Sequence, residues 1–164
     1  MTSLAGRATT RAVELLFIGQ WDQSLWAYAA LGRRKKATAE AARIAIVDDD
    51  RWIRGSLERL LKSAGFRAES FVSAERYLDG GDHDGVGCVI LDIKLPGMSG
   101  LELGRQLAAD HHRVPVVFIS AHDEPQVRRE AAQTGAIAFL GKPFDDFELL
   151  TAVHRALRLA KGET

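Results

Sequence analysis

Between Arg43 and Lys161, short apolar runs alternate with stretches whose apolar residues recur at helical spacing. The run from Ile44 to Val47 precedes Ile53, Leu57, Leu60, Leu61 and Ala64, and Gly65 stands where a helix-ending glycine belongs. Phe66 to Val72 reads as a second strand, followed by a short helix from Ser73 to Leu78. The continuous apolar run from Val86 to Leu91 marks a strand buried on both faces. Ser99 can cap a helix carrying Leu101, Leu103, Leu107 and Ala108. Val114 to Ile119 is a fourth strand, and Pro125 suits the first turn of the helix that Gly135 ends. Ile137 to Leu140 is a fifth strand. Phe147, Leu150, Val153 and Leu157 stripe the last helix. Five such units in register predict an α/β fold, a five-stranded doubly wound parallel sheet with helices on both faces.

In a sheet of this kind, sites form beyond the carboxyl ends of the strands, where the strand order reverses. The residues at those ends are therefore informative. The first strand runs into Asp48, Asp49 and Asp50; the third ends at Asp92; Ser120 follows the fourth; Lys142 follows the fifth. Two carboxylates ~4 Å apart repel by about 4 kcal/mol at an effective dielectric of ~20. A hard divalent cation such as Mg²⁺ removes that cost, taking oxygen ligands at ~2.0–2.1 Å and keeping waters that a phosphate oxygen can replace. A lysine and a hydroxyl can hold further phosphate oxygens, and an Asp carboxylate can act as the nucleophile. Taken singly, each residue has a plainer explanation. Asp50 is best read as the cap of the first helix, a lone strand-end Asp is commonly turn chemistry, and a lone Lys is usually solvated. Their convergence at matching strand ends favours a site.

The pieces I-V-D-D-D, V-I-L-D-I-K-L-P-G-M-S-G-L-E-L, V-P-V-V-F-I-S-A-H and G-A-I-A-F-L-G-K-P-F, in this order, resemble the receiver domain of two-component response regulators. The resemblance covers about Arg43 to Lys161 and implies the flavodoxin-like fold. It also implies roles. Asp92 would be the phosphoacceptor. Asp48, Asp49 and Asp92, with the backbone carbonyl of Lys94, would hold Mg²⁺, Asp49 more directly than Asp48. Ser120 would contact the phosphoryl group, Lys142 would pair with it, and Phe139 would be the aromatic switch. The Lys142–Pro143 bond is expected to be cis. Ser120 replaces the commoner threonine with the chemistry intact. Phe139 lacks the hydroxyl of the tyrosine found in some members.

The rest of the chain adds limits. Its 164 residues carry no net formal charge, so no global field favours nucleic acid or acidic lipid. Cys88, the only cysteine, lies in an apolar run and reads as a core residue. No apolar stretch approaches the ~20 residues of a membrane span, so a cytoplasmic protein is expected. Residues 1–42 have no counterpart in the receiver pattern. Val13, Leu16, Phe17, Trp21, Leu25 and Tyr28 predict one amphipathic helix, and Gly32 to Lys36 a basic linker or solvated face. Three readings stand for this segment: a helix for a partner or membrane surface, a helix packed on the receiver, or an extension translated from an upstream start. The five histidines show no metal-site spacing. His111 and His112 would point different ways on a helix, and His122, near Ser120, reads as a solvated loop residue.

These readings predict a single-domain response regulator, phosphorylated on Asp92 by a sensor histidine kinase or a phosphotransfer protein. It would catalyse that transfer and its own dephosphorylation without being a dedicated enzyme. A homodimer through the fourth helix, fifth strand and fifth helix is a further expectation; direct nucleic-acid contact is not. The Lys94 and Lys-Pro-Phe details resemble receivers often joined to a helix-turn-helix domain, so a receiver fragment of a DNA-binding transcriptional regulator is the alternative. A haloacid-dehalogenase-type phosphatase fits less well, because its nucleophile belongs to a D-x-D after the first strand. The expected division is an extension at 1–42 and a receiver at 43–161. A chain beginning at Ala41 should therefore fold cooperatively in urea, whereas an unfolded short form would place the extension in the core.

Overall fold

A computed structural model describes residues 42–80, 83–109 and 114–162. The amphipathic segment anticipated between Val13 and Tyr28, and His111 and His112, lie outside the described residues. In chain order the elements are β1 (Arg43–Val47), α1 (Arg51–Ser63), β2 (Arg67–Phe71), α2 (Ala74–Asp79), β3 (Val86–Asp92), α3 (Gly100–Ala109), β4 (Val116–Ser120), α4 (Pro125–Gln133), β5 (Ala138–Gly141) and α5 (Asp146–Ala160). All strand pairs are parallel, in the order β2-β1-β3-β4-β5. This is the doubly wound, flavodoxin-like architecture expected from the sequence.

The strands alternate their side chains between two cores. Ile44, Ile46, Cys88, Ile90, Val117 and Ile119 face Leu57 and Leu61 of α1 and Leu149 and Val153 of α5. Ala45, Val47, Val89, Leu91, Val116 and Phe118 face Ala74 and Tyr77 of α2, Leu103 and Leu107 of α3, and Ala131 of α4. With both faces covered, the central strands need no polar side, and their continuous apolar runs follow. Cys88 is fully buried, and burial pushes its thiol up to about 12, so it is an inert core residue.

Helix boundaries follow their capping chemistry. The Asp50 side chain accepts the N–H groups of Trp52 and Ile53 at the start of α1. Ser99 and Glu102 exchange hydrogen bonds before α3, the Glu102 N–H donating to Ser99 Oγ and the Ser99 N–H to Glu102 Oε2. Asp145 and Glu148 form the same reciprocal pair before α5. Pro125 occupies the first turn of α4. Strand ends shift slightly from the anticipated ones. β4 begins at Val116 rather than Val114, since Pro115 has no N–H to donate, although its carbonyl accepts the Val89 N–H at 2.9 Å.

One close approach couples this framework to the strand end at Asp92. Gly100 opens α3 directly against β3, and a Cβ there would lie 1.9 Å from the Asp92 carbonyl oxygen. The Gly100 N–H also donates to the Ile93 carbonyl at 2.9 Å. Gly100→Ala must force helix and strand apart. It should cost about 1–3 kcal/mol, as overpacking does, read as a lower urea midpoint with unchanged slope; an unchanged midpoint would mean that α3 can move away freely.

Candidate functional site

Sheet register brings the strand-end residues together. Val47 pairs with Leu91, so Asp48 emerges beside Asp92. Asp92 pairs with Ile119, so Ser120 comes next, and Ser120 pairs with Gly141, the residue before Lys142. Asp48, Asp92 and Ser120 are the buried polar residues of the described core, whereas Asp49 is exposed.

Lys142 ties the acids to one another. Its Nζ donates to Asp48 Oδ2 at 2.8 Å and to Asp92 Oδ2 at 3.2 Å. The other Asp48 oxygen accepts the Asp50 N–H at 2.8 Å, while Arg54 Nη1 donates to the Asp48 carbonyl at 2.6 Å. Asp48 thus has a partner on each carboxylate oxygen. Among the described residues, Asp92 Oδ1 receives only a long contact, 3.4 Å, from the Lys94 N–H. Ser120 Oγ accepts the His122 N–H at 3.0 Å. The Lys142–Pro143 bond is cis, as anticipated. His122 is half-exposed, with Nδ1 3.6 Å from Glu124 Oε1, in keeping with a solvated loop residue.

Burial and charge act in opposite directions here. Burial pushes the Asp92 carboxyl above its ordinary value, with the Asp48 charge adding to the rise and Lys142 opposing it. For Lys142, burial works against the ammonium, but its hydrogen bonds and charge contacts with Asp48 and Asp92 outweigh that and hold its pKa above the usual lysine value.

One carboxylate oxygen from each of Asp48, Asp49 and Asp92 lies within 4.8 Å of the others. This all-oxygen donor set fits a hard cation of the Mg²⁺ type. Asp49 and Asp92 Oδ1 are the natural first ligands, because both Asp48 oxygens already accept hydrogen bonds. The strand-end acids, Ser120 and Lys142 therefore share one end of the sheet. Phe139 sits apart, half-buried against the second core. The Arg128 guanidinium lies over its ring, 4.6 Å from the centroid. Arg128 in turn donates to Asp123 through Nε and, at 2.8 Å, through Nη2. Sequence reasoning passed over Asp123 and Arg128. Their five-residue spacing is not one of the helical pairing intervals, and the contact with β5 exists only once α4 has docked.

Two substitutions should act in opposite directions on the metal-free protein. The fold holds the Asp92 proton more tightly than the unfolded chain does, so ionising Asp92 costs stability. That cost is absent in acid and complete once the pH exceeds the folded-state value. Asp92→Asn should therefore raise the denaturation midpoint at neutral pH, with the gain fading in acid. Lys142→Ala leaves two carboxylates uncompensated and should cost about 3 kcal/mol, partly recovered by Mg²⁺. The Lys142 contribution should persist through neutral pH and be lost only as the pH rises through its elevated value. Shifts of the same sign would show that Lys142 does not offset the acids.

Comparison with known proteins agrees with this geometry. Residues 44–154 match the family model of the response regulator receiver domain. The chain is 40% identical over 130 residues to the response regulator protein TmoT of Ectopseudomonas mendocina, covering 79% of this chain and 59% of that protein. It is 36% identical over 118 residues to the transcriptional regulatory protein FixJ of Bradyrhizobium diazoefficiens, covering 72% of this chain and 58% of that one. Among solved structures, the response regulator StyR superposes with a TM-score of 0.69 at 41% identity, over 75% of this chain and 62% of StyR. A CheY-like receiver domain protein from Methanospirillum hungatei superposes at 0.70 and 26% identity, over 76% of this chain and all of its own. The chain thus spans a little over half the length of the curated relatives it matches. With its sheet order, its strand-end acids and these likenesses in agreement, the chain belongs to the response regulator receiver family.

Proposed function

We propose that this receiver is a phosphorylation-driven switch whose acceptor is Asp92. The observation that carries the reading is the convergence of Asp48, Asp49, Asp92 and Lys142 on one end of the sheet, with Asp92 Oδ1 only weakly engaged. A sensor histidine kinase or phosphotransfer protein supplies the phosphoryl group. An Asp92 oxygen attacks phosphorus, the P–O bond forms as the P–N bond to the donor histidine breaks, and the imidazole leaves. Asp48, Asp49, Asp92 and the Lys94 carbonyl would hold Mg²⁺, which when bound offsets the negative charge of donor and acceptor. Lys142 pairs with one phosphoryl oxygen, and Ser120 exchanges its His122 contact for another. Water later releases phosphate from Asp92.

The signal leaves through Phe139. Movement of Ser120 toward the phosphoryl group frees space behind it, and the ring follows, changing the face of α4, β5 and α5. A homodimer through that face is one output. A largely apolar groove of about 470 Å³, lined by Ile53, Leu57, Leu60, Pro143 and Phe144, opens beside Lys142 and offers a protein donor a surface next to the site. A kinase-linked switch places the protein in the cytoplasm. Residues 43–161 form the receiver on this reading, and residues 1–42 a separate extension.

A second reading is favoured by the relatives. They are longer than the matched region, and FixJ carries the name of a transcriptional regulatory protein. The same switch would then act as the receiver of a DNA-binding regulator. Sequencing the gene through its stop codon separates the two.

Acetyl phosphate with Mg²⁺ should add one phosphoryl group, visible by intact-mass spectrometry and labile to hydroxylamine. Chelating the metal or Asp49→Ala should abolish it, Asp92→Asn should remove it with the fold intact, and Lys142→Ala should reduce it. Full labelling of the Asp92→Asn protein would overturn the acceptor assignment.

A further inference from the structure

Asp92 is followed by a loop, Ile93 to Ser99, that must return the chain to α3 without moving the strand end. Its base is closed where the Gly100 N–H donates to the Ile93 carbonyl and where Gly100 lies against the Asp92 backbone. Its C-terminal side is held from another element altogether. Glu75, in the first turn of α2, accepts the Met98 N–H on Oε1 at 2.7 Å, across 23 residues of sequence. The neighbouring Gly97 has φ +79°, and a Cβ there would lie 2.5 Å from the same carboxylate oxygen. A side chain at position 97 would push the carboxylate off the loop. An acid in the first turn of a helix ordinarily serves that helix alone. Here the Met98 N–H is the main influence holding the Glu75 carboxyl below its ordinary value, ahead of any contact within α2.

We infer that Glu75 is a positioning residue for the Asp92 site, pinning the loop that carries Lys94 and so setting how well the acidic cluster takes a divalent cation. The inference rests on the proposed reading of that site. The loop begins at the last residue of β3, and the Lys94 N–H reaches Asp92 Oδ1. With the loop's two ends joined by the Gly100 N–H on the Ile93 carbonyl and Met98 tied to Glu75, the stretch between Ile93 and Met98 that carries Lys94 is held on both sides. Without Glu75, that side is free to drift, and the loop must be ordered each time a cation binds. Glu75 touches neither cation nor phosphoryl group; it acts only through the Met98 peptide.

The test uses the full chain with two readouts, amide hydrogen exchange at Met98 and calorimetric titration with MgCl₂. Glu75→Ala should speed Met98 exchange and weaken Mg²⁺ binding by about tenfold, the low end for groups that orient metal ligands. Glu75→Gln keeps a carbonyl acceptor and should restore both readouts close to wild type, which a role for the charge alone would not allow. Should Glu75→Ala fail to fold, Glu75→Asp, one methylene shorter, is read in the same way. Faster exchange with unchanged Mg²⁺ affinity, or no rescue by Glu75→Gln, would overturn the inference while leaving the site intact. A wild-type protein that binds no Mg²⁺ would overturn both the inference and the reading beneath it.

Discussion

The bridge from Lys142 to Asp48 and Asp92 is the interaction on which the rest of this molecule depends. It joins the ends of β1, β3 and β5, residues separated by 94 and 50 positions in the chain. Without a cation, two buried carboxylates at adjacent strand ends would repel by several kcal/mol. With it, the acids stand close enough to share a metal, and on the proposed reading the ammonium waits where a phosphoryl oxygen would arrive. The protein stores negative charge at one point and neutralises it from the far strand, so any new group added there must renegotiate the same contacts.

That arrangement explains how a local chemical event can reach a distant face. Ser120 and Lys142 are at the ends of neighbouring strands, and Phe139 is three residues upstream of Lys142 on β5. The ring is half-buried and overlain by Arg128, which is itself fixed to Asp123 at the entrance to α4. Packed interiors transmit such changes because they have few intermediate arrangements. A shift at Ser120 therefore has a short physical route to α4, through its own loop and through the Arg128 contact.

Much of the fold was legible in the sequence because its causes are local. The runs at Ile44, Val86 and Val116 are continuous because those strands are covered on both sides; Asp50 and Ser99 fall where their side chains accept free helix N–H groups, and Pro125 falls where a missing N–H costs nothing. The residues of the candidate site were legible for a related reason: a parallel sheet delivers every strand end to one edge, so Asp48, Asp92, Ser120 and Lys142 needed no long-range information to be grouped. What they do to one another was not legible. A cation between the acids follows from their repulsion, and the donor set fits one; that Lys142 bridges Asp48 and Asp92 as well is a contact only the fold reveals. Glu75 and Arg128 were invisible because each acts across elements on a backbone amide or a ring, and such contacts leave no periodic trace. Lys94 was singled out for its carbonyl; its N–H toward Asp92 is the local turn chemistry of a strand-end Asp.

Asp92 carrying a phosphoryl group would be an acyl phosphate, and its carbonyl carbon can be reduced where a free carboxylate cannot. Borohydride reduces an aspartyl phosphate to homoserine and leaves free carboxylates untouched. After incubation with acetyl phosphate and Mg²⁺, reduction and proteolysis, peptide sequencing by mass spectrometry should find homoserine at position 92, and only when Mg²⁺ was present. Homoserine at Asp48 or Asp49, or none at all in a folded protein that binds Mg²⁺, would contradict the account.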